Sequence, residues 1–281
     1  APDAVFRHLL RHADGGDRGG AQQRPAGAHR AHPRGVGGDG SGAAVEPDQQ
    51  HPQQDRDRDR AEETRDTGKL FGGVERPVDE LSAAPHKGEG EIQRRLSALA
   101  AQYQCYLVSG TFPVKTNSPE KFSAACMLFG PDGDVLADYR KIHMFDVSVN
   151  DNTGSYRESA TTEAGSKVVT VETPIGNIGL AVCYDVRFPG LFTAMGDIDI
   201  LVLPAAFTQR TGEAHWHALL QARAIEKQCF VVAANQSGVH ANGRETYGHS
   251  LVLSPWGETL AERKTDVGLV SAKVDIAERE T

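Results

Sequence analysis

The chain has 281 residues, of which 39% are apolar, 24% charged and 6% aromatic, and 30 Lys plus Arg stand against 38 Asp plus Glu for a formal charge of −8. That length can bury a sizeable core, and the acidic balance argues against a nucleic-acid binder, which needs a positive field. No apolar run approaches the ~20 residues of a membrane helix and no apolar leader opens the chain, so no membrane partner is expected and a cytoplasmic location is.

Residues 1–69 differ from the rest. Their large apolar residues are Val5, Phe6, Leu9, Leu10, Val36 and Val45, and they hold ten Arg but one Lys, Lys69. So little apolar surface cannot offset the entropy of folding, and the composition reads as disorder. From Leu70 the texture changes. Ile92, Leu96, Leu99, Ala100 and Tyr103 recur at helical spacing and predict a helix over 91–103. Strands are expected at 105–112, at 122–129 and, after the turn Pro131-Asp132-Gly133, at 135–139. Further strands are expected at 168–172 and 178–183, bracketing the turn at 173–176. The near-continuous apolar run 198–203 reads as a strand covered on both faces. A helix should follow Gly212 and run to about Gln228, with Trp216, Leu219, Leu220 and Ala224 on one side. Strands at 230–234, 250–253 and 268–274 complete an α/β chain with mixed sheets.

Four cysteines, Cys105, Cys126, Cys183 and Cys229, lie far apart without a CxxC pair, which argues against a zinc knuckle or a disulfide framework. Cys183 ends the apolar run Ile178-Gly179-Leu180-Ala181-Val182, and Tyr184, Asp185 and Arg187 follow. A nucleophile there would point into a cleft above the sheet edge, with the next N–H groups as oxyanion donors. A lone strand cysteine is more commonly an inert core residue. Lys141 follows Tyr139-Arg140 at another strand end. It is either a solvated cation or a partly buried ammonium that lowers a thiol pKa and stabilises an oxyanion.

Together the two contexts resemble the nitrilase superfamily of carbon–nitrogen hydrolases. Tyr139-Arg140-Lys141-Ile142-His143-Met144-Phe145-Asp146-Val147 is similar to its lysine motif, and Cys183-Tyr184-Asp185-Val186-Arg187-Phe188-Pro189 to its nucleophile motif. Three more blocks match in order: 203–208, Gly212–Trp216 leading to Arg223–Glu226, and Tyr247–Ser250 leading to Pro255-Trp256-Gly257. The resemblance covers about residues 70–281. It implies a four-layer α-β-β-α sandwich that pairs into a homodimer, and a Glu–Lys–Cys triad that uses no metal and no cofactor. Cys183 would attack, while Lys141 and the N–H of Tyr184 would hold the negative charge. Glu158 matches a supporting carboxylate. The general-base Glu should fall at about 63–67 in a Pro-Glu step, and none occurs in that window. Glu63 is the nearest candidate, and the surrounding segment reads either as a wrong-frame translation or as a divergent chain that has lost its base.

The blocks at Phe207-Thr208, His215-Trp216 and Tyr247–Ser250 resemble the branch that hydrolyses ω-amides of 2-oxo acids, such as deaminated glutathione. Phe207 and Thr208 would then border the substrate. Arg187, four residues after the nucleophile, would either pair with a substrate carboxylate or form a structural ion pair. A nitrile hydrolase and a catalytically dead binding subunit are the alternatives. His215 and His217 are two apart and do not share a helix face, which gives no metal spacing. Trp216 and Trp256 are expected to pack.

Overall fold

The computed structural model describes residues 90–151 and 154–280. The segment 1–69, with Glu63, lies outside the described residues. In chain order the elements are α1 (Glu91–Tyr103), β1 (Leu107–Val108), β2 (Phe112–Lys115), β3 (Phe122–Phe129), β4 (Val135–Arg140), β5 (Asp146–Ser148), β6 (Ser155–Arg157), β7 (Thr170–Thr173), β8 (Gly176–Leu180), α2 (Pro189–Ala194), β9 (Ile200–Ala205), α3 (Gln209–Lys227), β10 (Phe230–Asn235), β11 (Ser237–Val239), β12 (Glu245–Tyr247), β13 (Ser250–Leu253) and β14 (Thr259–Arg263).

Two main sheets form. In the four-stranded sheet, β1, β2 and β4 all pair antiparallel with β3. The six-stranded sheet has the order β14-β13-β10-β9-β8-β7, with β8, β9 and β10 parallel and the outer strands antiparallel. The period-2 alternation of the strands sorts their side chains into layers. Cys126, Leu128, Ala137 and Tyr139 of the first sheet pack on Ile178, Leu180, Ile200 and Val202 of the second. The opposite face of β3, with Ala125, Met127 and Phe129, packs on Ile92, Leu96 and Ala100 of α1. The opposite face of the larger sheet, with Leu201, Leu203, Val231 and Leu253, packs on Phe192 of α2 and on Trp216, Leu220 and Ala224 of α3. The result is the expected α-β-β-α sandwich. Each fully buried large apolar side chain in these layers contributes about 1.5–3 kcal/mol.

Several elements differ from expectation in ways that shape the site. The strand expected at 105–112 breaks at Ser109-Gly110-Thr111, where Gly110 takes φ +72° and the Ser109 hydroxyl accepts from the Met127 N–H at 2.9 Å. The strand expected to reach Cys183 stops at Leu180, and Cys183 opens a 3-10 turn, Cys183–Arg187. The helix expected after Gly212 starts earlier, at Gln209, because the Thr208 hydroxyl accepts from the Thr211 N–H and caps it. Gly212 is inside the helix, where a Cβ would lie 2.3 Å from Cβ of Tyr247. Residues 268–274 form no strand. They have no ladder partner among the described residues, and Leu269 is exposed. Trp216 is fully buried, but Trp256 is 81% exposed rather than packed.

Candidate active site

The carboxyl ends of the parallel strands β8 and β9 face the end of β4, and a cavity of about 380 Å³ opens between them. Open α/β sheets characteristically bind ligands at the carboxyl ends of their strands. Lys141, Glu158, Cys183, Tyr184, Phe207 and Thr208 all line this cavity, with the Ser109–Thr111 break on the opposing wall.

Lys141 follows directly on β4. Its backbone is held on both sides, by its N–H to the Ala124 carbonyl at 2.9 Å and by the Gly165 N–H to its own carbonyl at 2.8 Å. Gly165 is required there, because a Cβ would stand 2.2 Å from the Arg140 carbonyl oxygen. The Lys141 side chain is 3% exposed, and its Nζ donates to Oε2 of Glu158. That same oxygen accepts from the Phe145 N–H at 2.7 Å. A buried ammonium is tolerated only when paired and hydrogen-bonded in this way.

Cys183 has φ +51°, a left-handed conformation uncommon outside glycine. The surrounding contacts enforce it. The Asp185 carboxylate is fully buried and accepts from the Val182 N–H at 2.9 Å, from the Tyr139 hydroxyl at 2.7 Å and from the His143 N–H at 3.0 Å. His143 Nδ1–H donates to it as well, at 2.7 Å, and the imidazole stacks on Phe188 at 3.7 Å. Asp185 thus ties the lysine segment to the cysteine turn. The leading N–H groups of such a turn, that of Tyr184 included, have no acceptor inside it.

Burial pushes the Cys183 thiol above the ordinary thiol range. The Lys141 charge, the Ala206 backbone and Arg244 pull it down, whereas Glu158 pushes it up. Cys126 and Cys229 are fully buried, and burial lifts their thiols too, Cys229 to about 12. All four cysteines are free thiols, and Cys183 alone of them lines the cavity.

Arg187 does not line the cavity. Its guanidinium lies over the rings of Tyr184 (5.8 Å) and Phe207 (5.5 Å) and donates to His215 Nδ1 at 3.2 Å. It is placed as a cation against these aromatic rings. Sequence reasoning missed Asp185, whose only signal was its place two residues after the cysteine. It also missed Arg244 and Arg157, which do line the cavity. Among the described residues no cluster of three His, Cys, Asp or Glu could hold a metal, and no helix is long and apolar enough to cross a membrane.

The profile of the family described as carbon–nitrogen hydrolase matches residues 69–281. Over 195 residues the chain is 40% identical to the deaminated glutathione amidase of Yersinia enterocolitica, a match covering 68% of each protein. Over 189 residues it is 38% identical to the omega-amidase NIT2 of Homo sapiens, covering 66% of this chain and 67% of that one. The crystal structure of Saccharomyces cerevisiae Nit3, a member of branch 10 of the nitrilase superfamily, superposes with a TM-score of 0.61 at 28% identity over 73% of each chain. Five ordered sequence blocks, the layered fold and these matches agree, and the chain belongs to the carbon–nitrogen hydrolase family of enzymes.

Proposed function

We propose that the protein is a thiol amidase that cleaves a small linear amide, the ω-amide of a 2-oxo acid such as deaminated glutathione, to a carboxylate and ammonia or an amine. The observation that carries this reading is the meeting of Cys183, Lys141 and Glu158 on one cavity, with the lysine paired and the cysteine held at positive φ. The thiolate attacks the amide carbon and forms an S–C bond. The resulting oxyanion is held by Lys141 Nζ and the Tyr184 N–H. The C–N bond breaks as the nitrogen takes up the proton first removed from the thiol. Water then adds to the thioester carbon, and the S–C bond breaks to restore the thiol and release the acid.

A carboxylate must move that proton, because an amine leaves only when protonated. Glu63, outside the described residues, is the candidate that completes a Glu–Lys–Cys triad. Glu158 is committed to Lys141 and Phe145 and acts as the supporting carboxylate. Phe207 and Thr208 border the substrate. The amidase names of the relatives favour an amide over a nitrile, and the assembled cluster favours an active enzyme over a binding subunit. Four free thiols suit a reducing, cytoplasmic setting, and a second copy of the chain is the expected partner. Ammonia release over a panel of amides and nitriles tests the reading. It predicts turnover of ω-amides of 2-oxo acids that Cys183→Ala abolishes, and turnover that survives this substitution would overturn it.

A further inference from the structure

Arg244 lies in the loop between β11 and β12, which the His240 N–H closes onto the Arg244 carbonyl at 2.8 Å. The hairpin is pinned over the loop between β9 and α3. The Tyr247 N–H donates to the Phe207 carbonyl at 3.0 Å, Thr246 bridges Thr208, and Arg244 Nη2 donates to the Ala206 carbonyl at 2.9 Å. The Arg244 side chain therefore lines the same cavity as Cys183.

Its charge is not matched among the described residues. Among the described residues no carboxylate pairs with Arg244, and its Nε is buried without a hydrogen-bond partner. The other cations of the cavity differ. Lys141 is neutralised by Glu158, and Arg157 sits at the exposed rim near Asp146. A buried N–H of a guanidinium without an acceptor is costly. A planar fork with a free N–H is suited to a carboxylate.

We propose that Arg244 is the specificity-determining residue of this site, receiving a carboxylate of the substrate on the part of its guanidinium that faces the cavity. The inference rests on reading the cavity as the substrate site. The prediction is a preference for anionic over neutral amides set by Arg244.

The test is calorimetric titration of 2-oxoglutarate, a non-reacting dicarboxylate, and of its neutral dimethyl ester, into the full chain. Wild type should bind the diacid and bind the diester far more weakly. Arg244→Met should weaken diacid binding about 10- to 100-fold, the range for losing a charge-assisted hydrogen bond. If the methionine variant fails to fold, Arg244→Gln, which can still donate to the Ala206 carbonyl, gives the same reading. An unchanged Kd in a folded variant, equal binding of diacid and diester, or no binding of the diacid to wild type would overturn the proposal. Arg244-dependent binding in a protein that releases no ammonia from any amide would uphold this inference and sink the amidase reading.

Discussion

The buried Asp185 carboxylate accepts two hydrogen bonds from His143, one from its backbone N–H and one from its ring. His143 is two residues beyond Lys141, and Asp185 two residues beyond Cys183, so this contact sets the distance between the two reactive side chains. The Tyr139 hydroxyl and the Val182 N–H complete the acceptor shell. Asp185→Asn puts an NH₂ group among these donors. It should destabilise the protein by about 2–4 kcal/mol and lower kcat more than it raises KM. Urea midpoints and steady-state kinetics check this, and wild-type kinetics would contradict it.

Glu158 is the only carboxylate found on Lys141 among the described residues. Glu158→Gln leaves a buried ammonium without a counter-charge, a change that costs about 3–5 kcal/mol. The expected outcome is a lower urea midpoint together with lost amide turnover. A stable, fully active variant would show that the pair is dispensable.

Removing the ammonium should make Cys183 less acidic. Lys141 pulls the thiol down and Glu158 pushes it up, so Lys141→Met deletes the first influence and frees the second. The rate of Cys183 alkylation by iodoacetamide at pH 8 should fall, with its pH midpoint moved upward. A downward shift would refute the assignment.

Gly212 lies against Tyr247, with room for no Cβ. Gly212→Ala forces α3 away from the hairpin that holds Arg244. Overpacking of this kind costs about 1–3 kcal/mol, against the gain in helix propensity that an exposed site would show. A thermal melt distinguishes the two signs.

The buried thiols of Cys126 and Cys229 predict alkaline sensitivity. Their folded pKa values are raised, that of Cys229 to about 12 and that of Cys126 further. Above about 8.5 an unfolded thiol loses its proton while the folded one keeps it, so stability falls as pH rises. Two such groups should lower the unfolding free energy by about 2–4 kcal/mol between pH 8 and pH 10. Urea titrations in reductant at both values measure this, and a flat profile would contradict it.

The layers were legible wherever a strand shows a clean period. Phe122–Phe129 has the predicted ends because every residue is buried and a Pro-Asp-Gly turn follows. Gly268–Val274 has a similar apolar alternation but no ladder partner among the described residues, and sequence pattern does not tell which neighbours a strand will find. Short hairpins such as Ser237–Val239 with Glu245–Tyr247 carry too few apolar residues to stand out. Cys183 and Lys141 were readable through their flanking blocks. The contacts of Arg187 with Tyr184, Phe207 and His215 were not readable, because spacing from the nucleophile does not determine which side of a 3-10 turn a long side chain takes. Arg244 was invisible because its place depends on a hairpin folding over the Ala206–Thr208 loop.

The central claim is that Cys183 forms a thioester with the acyl part of a small amide. The most direct measurement is mass spectrometry of the acid-quenched enzyme during turnover of 2-oxoglutaramate, with the modified peptide sequenced. The account predicts an acyl adduct on Cys183, absent from Cys183→Ala and accelerated in its decay by hydroxylamine. Ammonia release with no adduct on Cys183, or with an adduct on another residue, would contradict it.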